Sequence, residues 1–139
     1  MLSPYFDHIA GIELSPESIK SAQHNASLNG IPPSKISFRE GDAADIFASV
    51  KGDFIPSKTV LVIDPPRKGC DENFIKQVLK FGCATIVYVS CNVHTQARDV
   101  GRLVRGGGEG RRYVVESLRG FDLFPQTAHI EGVAVLRLA

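Results

Sequence analysis

Cys91 ends an apolar run, Ile86-Val87-Tyr88-Val89-Ser90, and Asn92 follows it where a helix-like segment begins. In open α/β sheets, ligands and reacting groups gather beyond the carboxyl ends of the strands. A cysteine there is placed to act as a nucleophile, and its thiol is the most nucleophilic side chain near neutral pH. A second apolar run, Val60-Leu61-Val62-Ile63, ends in Asp64-Pro65-Pro66-Arg67, and His129 and Glu131 come later. A thiol with carboxylates at neighbouring element ends is the raw material of covalent and acid–base chemistry. The plainer reading of a strand-end cysteine is a small buried hydrophobe. That reading suits Cys70 and Cys83, whereas the Ser-Cys-Asn exit and the nearby Asp64 favour a chemical role for Cys91. Of the histidines, His129 is read as lining the site, where it would orient Glu131 or a substrate group, or as capping a strand, and His8, His24 and His94 as facing solvent or capping.

The elements that must carry these residues alternate. A short strand over 8–13 ends in Glu13. Ser15 as N-cap, Pro16 at the first helical position and Glu17 in the first turn start a helix. Asn29-Gly30 closes it, and Pro32-Pro33 prevents its resumption. A strand is expected over 35–39, with Gly41-Asp42-Ala43 as its exit and a short helix over 43–50. The strand over 59–64 is almost continuously apolar, as expected when both faces are covered. Asp71 is placed to cap a helix that buries Phe74, Ile75, Val78 and Leu79. A strand over 84–90 and a helix over 94–104 follow. Two last strands, 113–118 and 133–138, are expected to pair antiparallel. Alternating strand and helix mean an α/β sheet with crossover helices in a single domain spanning 1–139.

Glu13 and Asp64 are placed for ligand contacts. An acid at a strand end in nucleoside-binding α/β folds accepts hydrogen bonds from ribose hydroxyls. Two prolines restrain the exit after Asp64 and hold that acid at the strand edge. Arg98, Arg102 and Arg105 share one helical face, which suits phosphates or a solvated surface interrupted by Asp99. Arg67 and Lys68, beside Asp64, are better placed for a phosphate.

Composition sets the bounds. The 139 residues are 43% hydrophobic and 22% charged, with a net charge of +1, so only a local basic patch could serve a polyanion. No apolar run reaches the roughly 18 residues of a membrane helix. Three cysteines without CxxC spacing argue against a disulfide framework or a metal site and for a reducing, intracellular setting.

Five stretches in order carry a resemblance: Gly11-Ile12-Glu13-Leu14-Ser15, Asp64-Pro65-Pro66-Arg67-Lys68-Gly69, Tyr88-Val89-Ser90-Cys91-Asn92, Ala97-Arg98-Asp99, and Phe124-Pro125-Gln126-Thr127-Ala128-His129-Ile130-Glu131. With them the chain resembles the catalytic domain of S-adenosylmethionine-dependent RNA uracil-C5 methyltransferases, of the fungal tRNA type. The resemblance implies a Rossmann-like class I methyltransferase fold, mostly parallel with an antiparallel C-terminal strand. It implies Cys91 as nucleophile, Glu131 as base, and Glu13 and Asp64 as cofactor-site acids. Asp42 lies where related folds place an acid near the adenine. The implied cofactor is S-adenosyl-L-methionine and the implied partner RNA, with a tRNA T-loop uridine as target and no metal or membrane.

The family's first strand and its glycine-rich cofactor loop have no counterpart in this sequence. This chain is therefore expected to cover the last part of such an enzyme and to bind the cofactor weakly when alone. A truncated, inactive piece is the competing reading. A third, an N-methyltransferase using Asp64-Pro65-Pro66-Arg67, leaves Cys91 and Glu131 without purpose.

Overall fold

Runs of β-branched residues alternate with amphipathic stretches, and each becomes the element its pattern favours. The computed structural model describes residues 2–41, 47, 50, 52–107 and 110–139. They fall into two compact units, Met1–Lys51 and Gly52–Ala139.

The first unit is a strand–helix–strand motif. Strand β1 (Ile9–Glu13) pairs in parallel with β2 (Ile36–Glu40), from Ile9 opposite Ile36 to Glu13 opposite Glu40. Helix α1 (Pro16–Leu28) connects them. Its cap is the expected one: the Ser15 hydroxyl accepts from the Ser18 amide at 3.3 Å, with Pro16 at the first position. Of the apolar face read from the sequence, Ala26 is buried, and Ile19 and Ala22 are half-buried. The helix expected over 43–50 falls largely, and Asp42 wholly, outside the described residues.

The second unit holds β3 (Val60–Ile63), α2 (Glu72–Phe81), β4 (Thr85–Ser90), α3 (Val93–Arg105), β5 (Tyr113–Phe121) and β6 (Glu131–Leu138). Its sheet has the order β3-β4-β6-β5. β3 and β4 run parallel, and β6 runs antiparallel to both β4 and β5. The α/β class and the antiparallel C-terminal strand are as expected. β1 and β3 belong to different sheets: β1 pairs only with β2, and β3 only with β4, among the described residues.

Helix α2 follows its sequence signals. Asp71 caps it by accepting from the Phe74 amide at 2.7 Å, and Gly82 ends it in the left-handed conformation at φ 68°. Phe74, Ile75, Val78 and Leu79 are buried. One face of the sheet, carrying Ile63, Ile86, Tyr88, Ser90, Ala134 and Leu136, is buried, and α3 packs on β4, β5 and β6. Alternation along β4 and β6 puts the less buried residues on the other face. The expectation that both faces of the third strand are covered is therefore corrected. Val62 is 58% exposed, because the helices of this unit serve only one side.

Two tyrosines anchor the core through their hydroxyls. Tyr113 donates to the Cys83 carbonyl at 2.9 Å, tying β5 to the residues before β4. Tyr88 lies beside Cys70, whose thiol burial pushes up to about 11; burial also raises the Cys83 thiol. Both thiols thus stay protonated in the folded chain where an unfolded chain would ionise, above the ordinary value of 9.0. For Cys70 the contribution is complete below pH 9.0 and is lost as the pH rises through about 11, and the raised Cys83 acts in the same direction. Urea unfolding followed across that window should show a midpoint that falls with pH, and Cys70→Ala should make the fall shallower.

Candidate active site

Three chemically capable side chains come together because of strand order. β4 lies between β3 and β6. Ser90 pairs with Gly132, so Cys91 and Glu131 are the next positions beyond that pair on the two strands. On the other side Ile63 pairs with Tyr88, and Asp64 follows it at the carboxyl end of β3. Asp64, Cys91 and Glu131 thus stand in a row along one edge of one sheet. Cys91 and Glu131 are half-buried, and Asp64 is exposed.

Cys91 occupies a bend whose geometry its neighbours set. The Asn92 amide donates to the Ser90 hydroxyl at 3.1 Å, and that hydroxyl also lies 3.1 Å from the Asn92 carbonyl. Ser90 and Asn92 therefore close on each other around the thiol. Asn92 then caps α3, accepting from the His94 amide at 3.1 Å and the Thr95 amide at 3.4 Å. Strand, bend and helix start are fixed by three consecutive residues.

The first turns of α3 also hold the loop that follows Asp64. Asn92 and Thr95 donate to the Arg67 carbonyl at 3.0 and 3.1 Å. Arg98 donates to the carbonyls of Lys68 (2.8 Å) and Cys70 (3.2 Å). Asp99, with no solvent exposure, accepts from the Cys70 amide at 2.7 Å, the Tyr88 hydroxyl at 2.9 Å and Arg98 Nε at 2.9 Å. Gly69 is required where the loop meets the helix: its φ is 77°, and a Cβ there would lie 2.5 Å from Asp99 Oδ2. Backbone carbonyls carry these bonds, so the Arg67 and Lys68 side chains stay exposed beside the site.

Gln96 makes the matching link to Glu131's strand. Its side chain is 3% exposed and donates to the Tyr88 carbonyl at 2.9 Å and the Gly132 carbonyl at 3.0 Å. A Cβ at position 132 would overlap the Gln96 side-chain oxygen, so glycine there lets the amide reach the backbone. Sequence reasoning missed Gln96 altogether. It also read Asp99 as a break in a solvated arginine face. Asp99 instead lies on the buried face of α3, with Arg98 and Arg102 turned back onto it. The available signal was the Ala97-Arg98-Asp99 stretch, whose polar residues recur one helical turn after the Asn92 cap.

Among the described residues, no hydrogen bond joins His129 to Glu131. The His129 ring meets Phe124 edge-on, with centroids 6.5 Å apart and planes at 82°, and its amide donates to the Thr127 hydroxyl. In the first unit, Glu13 ends β1 and turns one carboxylate oxygen back on its own exit, accepting from the Leu14 and Ser15 amides at 2.8 and 3.0 Å. The other oxygen accepts nothing from the described residues, which suits a pair of vicinal hydroxyls. No cluster of three or more His, Cys, Asp or Glu side chains among the described residues is placed to hold a metal ion.

The chain is similar over nearly all its length to known proteins. A family model described as tRNA (Uracil-5-)-methyltransferase matches residues 1–138. The tRNA (uracil(54)-C(5))-methyltransferase of Schizosaccharomyces pombe is 47% identical over 94% of this chain and 24% of its own length. That of Saccharomyces cerevisiae is 43% identical over 94% of this chain and 20% of its own length. The chain therefore spans about a quarter of the relatives it matches. The crystal structure of Pyrococcus abyssi tRNA (uracil-54, C5)-methyltransferase with S-adenosyl-L-homocysteine superposes with a TM-score of 0.75 at 27% identity. That match covers 97% of this chain and 30% of the other.

Two measurements probe the site directly. Cys91 is the one half-buried thiol, whereas Cys70 and Cys83 are buried and held protonated. A maleimide should therefore modify one thiol of the folded chain rapidly, and Cys91→Ala should remove that phase. Asp99→Ala leaves the Cys70 amide and Tyr88 hydroxyl without an acceptor. At roughly 1–3 kcal/mol for each unmade buried bond, a loss of about 3 kcal/mol is expected in urea unfolding.

Proposed function

The chain belongs to the tRNA (uracil-5-)-methyltransferase family, and from that premise we propose that its Cys91 edge is the catalytic centre for methyl transfer to C5 of a uridine in RNA, with a tRNA T-loop uridine as target. The observation that carries this reading is the register. It sets a thiol and a carboxylate on adjacent antiparallel strands, one step beyond the Ser90–Gly132 pair.

The chemistry follows from the residues. Uracil C5 is a weak nucleophile. Addition of the Cys91 thiolate to C6 turns the ring into an enolate and places negative charge on C5. S-adenosylmethionine, as second substrate, supplies an electrophilic methyl on its sulfonium. Once C5 carries the methyl group, Glu131 takes the C5 proton, and the electron pair left behind expels the thiolate from C6. The base must leave its stack before a thiol can reach C6, so the uridine is presented flipped or looped out. Glu13 supports the nucleoside end of the cofactor through its open carboxylate oxygen, and Asp64 lines the same strand edge as Cys91. Asp42 keeps its proposed place near the adenine on resemblance alone.

A second reading is favoured by strand pairing. β1 and β3 each have one edge without a strand partner among the described residues. The chain by itself would then be a catalytically silent piece of such an enzyme.

The test is a denaturing gel of protein, S-adenosylmethionine and RNA carrying 5-fluorouridine, which cannot release its C5 substituent as a proton. A covalent adduct is expected and should vanish in Cys91→Ala. With ordinary RNA, Glu131→Gln should slow turnover by about 10²-fold or more and let adduct accumulate. Normal turnover by Cys91→Ala would remove the assignment. An adduct formed by a longer protein bearing these residues, but not by this chain, selects the second reading.

A further inference from the structure

Helix α2, from Glu72 to Lys80, and the end of α3 away from Cys91 line a cleft of about 440 Å³. Five cationic side chains line it, those of Lys76, Lys80, Arg102, Arg105 and Arg111, against the single carboxylate of Glu72. The whole chain carries a net charge of only +1, so positive charge is concentrated here. Glu72 offsets one of the five and Arg102 is turned onto Asp99 at 3.5 Å, so the lining still carries more positive than negative charge. Lys76 pairs with it at 2.7 Å and holds its carboxyl below the usual range. Cations near helix C-termini are favoured by the macrodipole, which accounts for Lys80 and Arg105 singly. It does not account for their convergence with three further cations on one concavity, floored by Ile75 and Leu79.

The cleft also ends a track. That track is helix α3 itself, which starts at the Asn92 cap beside Cys91 and ends with Arg105 in the cleft, while Arg98 and Arg102 are held on Asp99. From the Asn92 cap to Arg105 the helix rises roughly 20 Å at about 1.5 Å per residue. A mononucleotide cannot touch both ends of that path, whereas the backbone of a folded RNA can.

We propose that this cleft binds backbone phosphates of an RNA stem whose loop delivers the uridine to Cys91. The proposal rests on the catalytic reading above and deepens it by giving the stem beneath the target loop a contact surface of its own. Phosphate contacts of this kind position a substrate without reading its sequence.

The experiment is fluorescence anisotropy on this chain with two labelled probes. One is an RNA hairpin with uridine in its loop, and the other is the loop sequence alone as a single strand. Lys80→Glu combined with Arg105→Glu should weaken hairpin binding by about tenfold or more and lower the salt slope by about 2. The single strand should change by less than about twofold. Lys80→Gln with Arg105→Gln should give an intermediate loss, and circular dichroism should show both variants folded.

A hairpin affinity indifferent to both variants overturns the cleft while leaving the catalytic reading intact. Equal losses for the two probes overturn it as well, since the stem then plays no part. Polyglutamate displacing the hairpin at equal charge concentration assigns the cleft to an acidic protein and overturns the RNA stem. Failure of the wild-type chain to bind either probe, with the 5-fluorouridine adduct still forming, again removes the cleft alone. Failure of both binding and adduct formation removes the catalytic reading with it.

Discussion

The carboxylate of Asp99 is the constraint on which the site depends. A fully buried charge is costly unless it is paired and hydrogen-bonded. Asp99 meets that condition by taking one bond from the loop after β3, one from the middle of β4 and one from its own helix. Three parts of the chain that share no regular pairing are thereby held at one point. The loop has no sheet partner to fix it. Its position is set by α3, through Asp99 and the bonds that Asn92, Thr95 and Arg98 make to its carbonyls. The rigidity of the Asp64–Cys70 segment is thus borrowed from a helix that is itself capped by the residue after Cys91.

The sheet supplies the other half of the arrangement. Parallel strands bring only their carboxyl ends to the edge where Cys91 stands. An antiparallel β6 brings its amino end, so a residue that begins a strand meets one that follows a strand. Gln96 secures that meeting by reaching both β4 and β6 from the helix layer. Two buried polar side chains, Gln96 and Asp99, one helical turn apart on α3, thus position the two sides of the thiol: Gln96 toward Glu131 and Asp99 toward Asp64.

Much of this was legible in the sequence, for definite reasons. Ser15, Asp71 and Asn92 are side chains that compete for helix amides, and each stands at the start of a helix. Cys91, Asp64 and Glu131 stand out because polar residues abut apolar strands. The buried roles of Gln96 and Asp99 were hidden, because periodicity rules send polar helix residues outward. Only the backbone groups they meet, supplied by β4, the 65–70 loop and Gly132, make burial favourable. Val62 misled in the opposite direction. A continuous apolar strand signals two covered faces, and here the second face has no helix from its own unit. Glu13 could be placed at a strand end from sequence, but not the turn of its carboxylate onto Leu14 and Ser15.

The antiparallel arrival of Glu131 also bears on how the molecule folds. Cys91 and its helix cap are local, set within a few residues. Glu131 is 40 residues further along the chain, and β4 can pair with β6 only after that span has closed. Closing it costs loop entropy before any β4–β6 contact rewards it. The β5–β6 hairpin, closed by the Phe121–Glu131 pair, spans a much shorter loop and closes at a lower entropic cost. Local bonds thus suffice for the bend that holds the thiol, whereas the place of the carboxylate beside it depends on a closure 40 residues long.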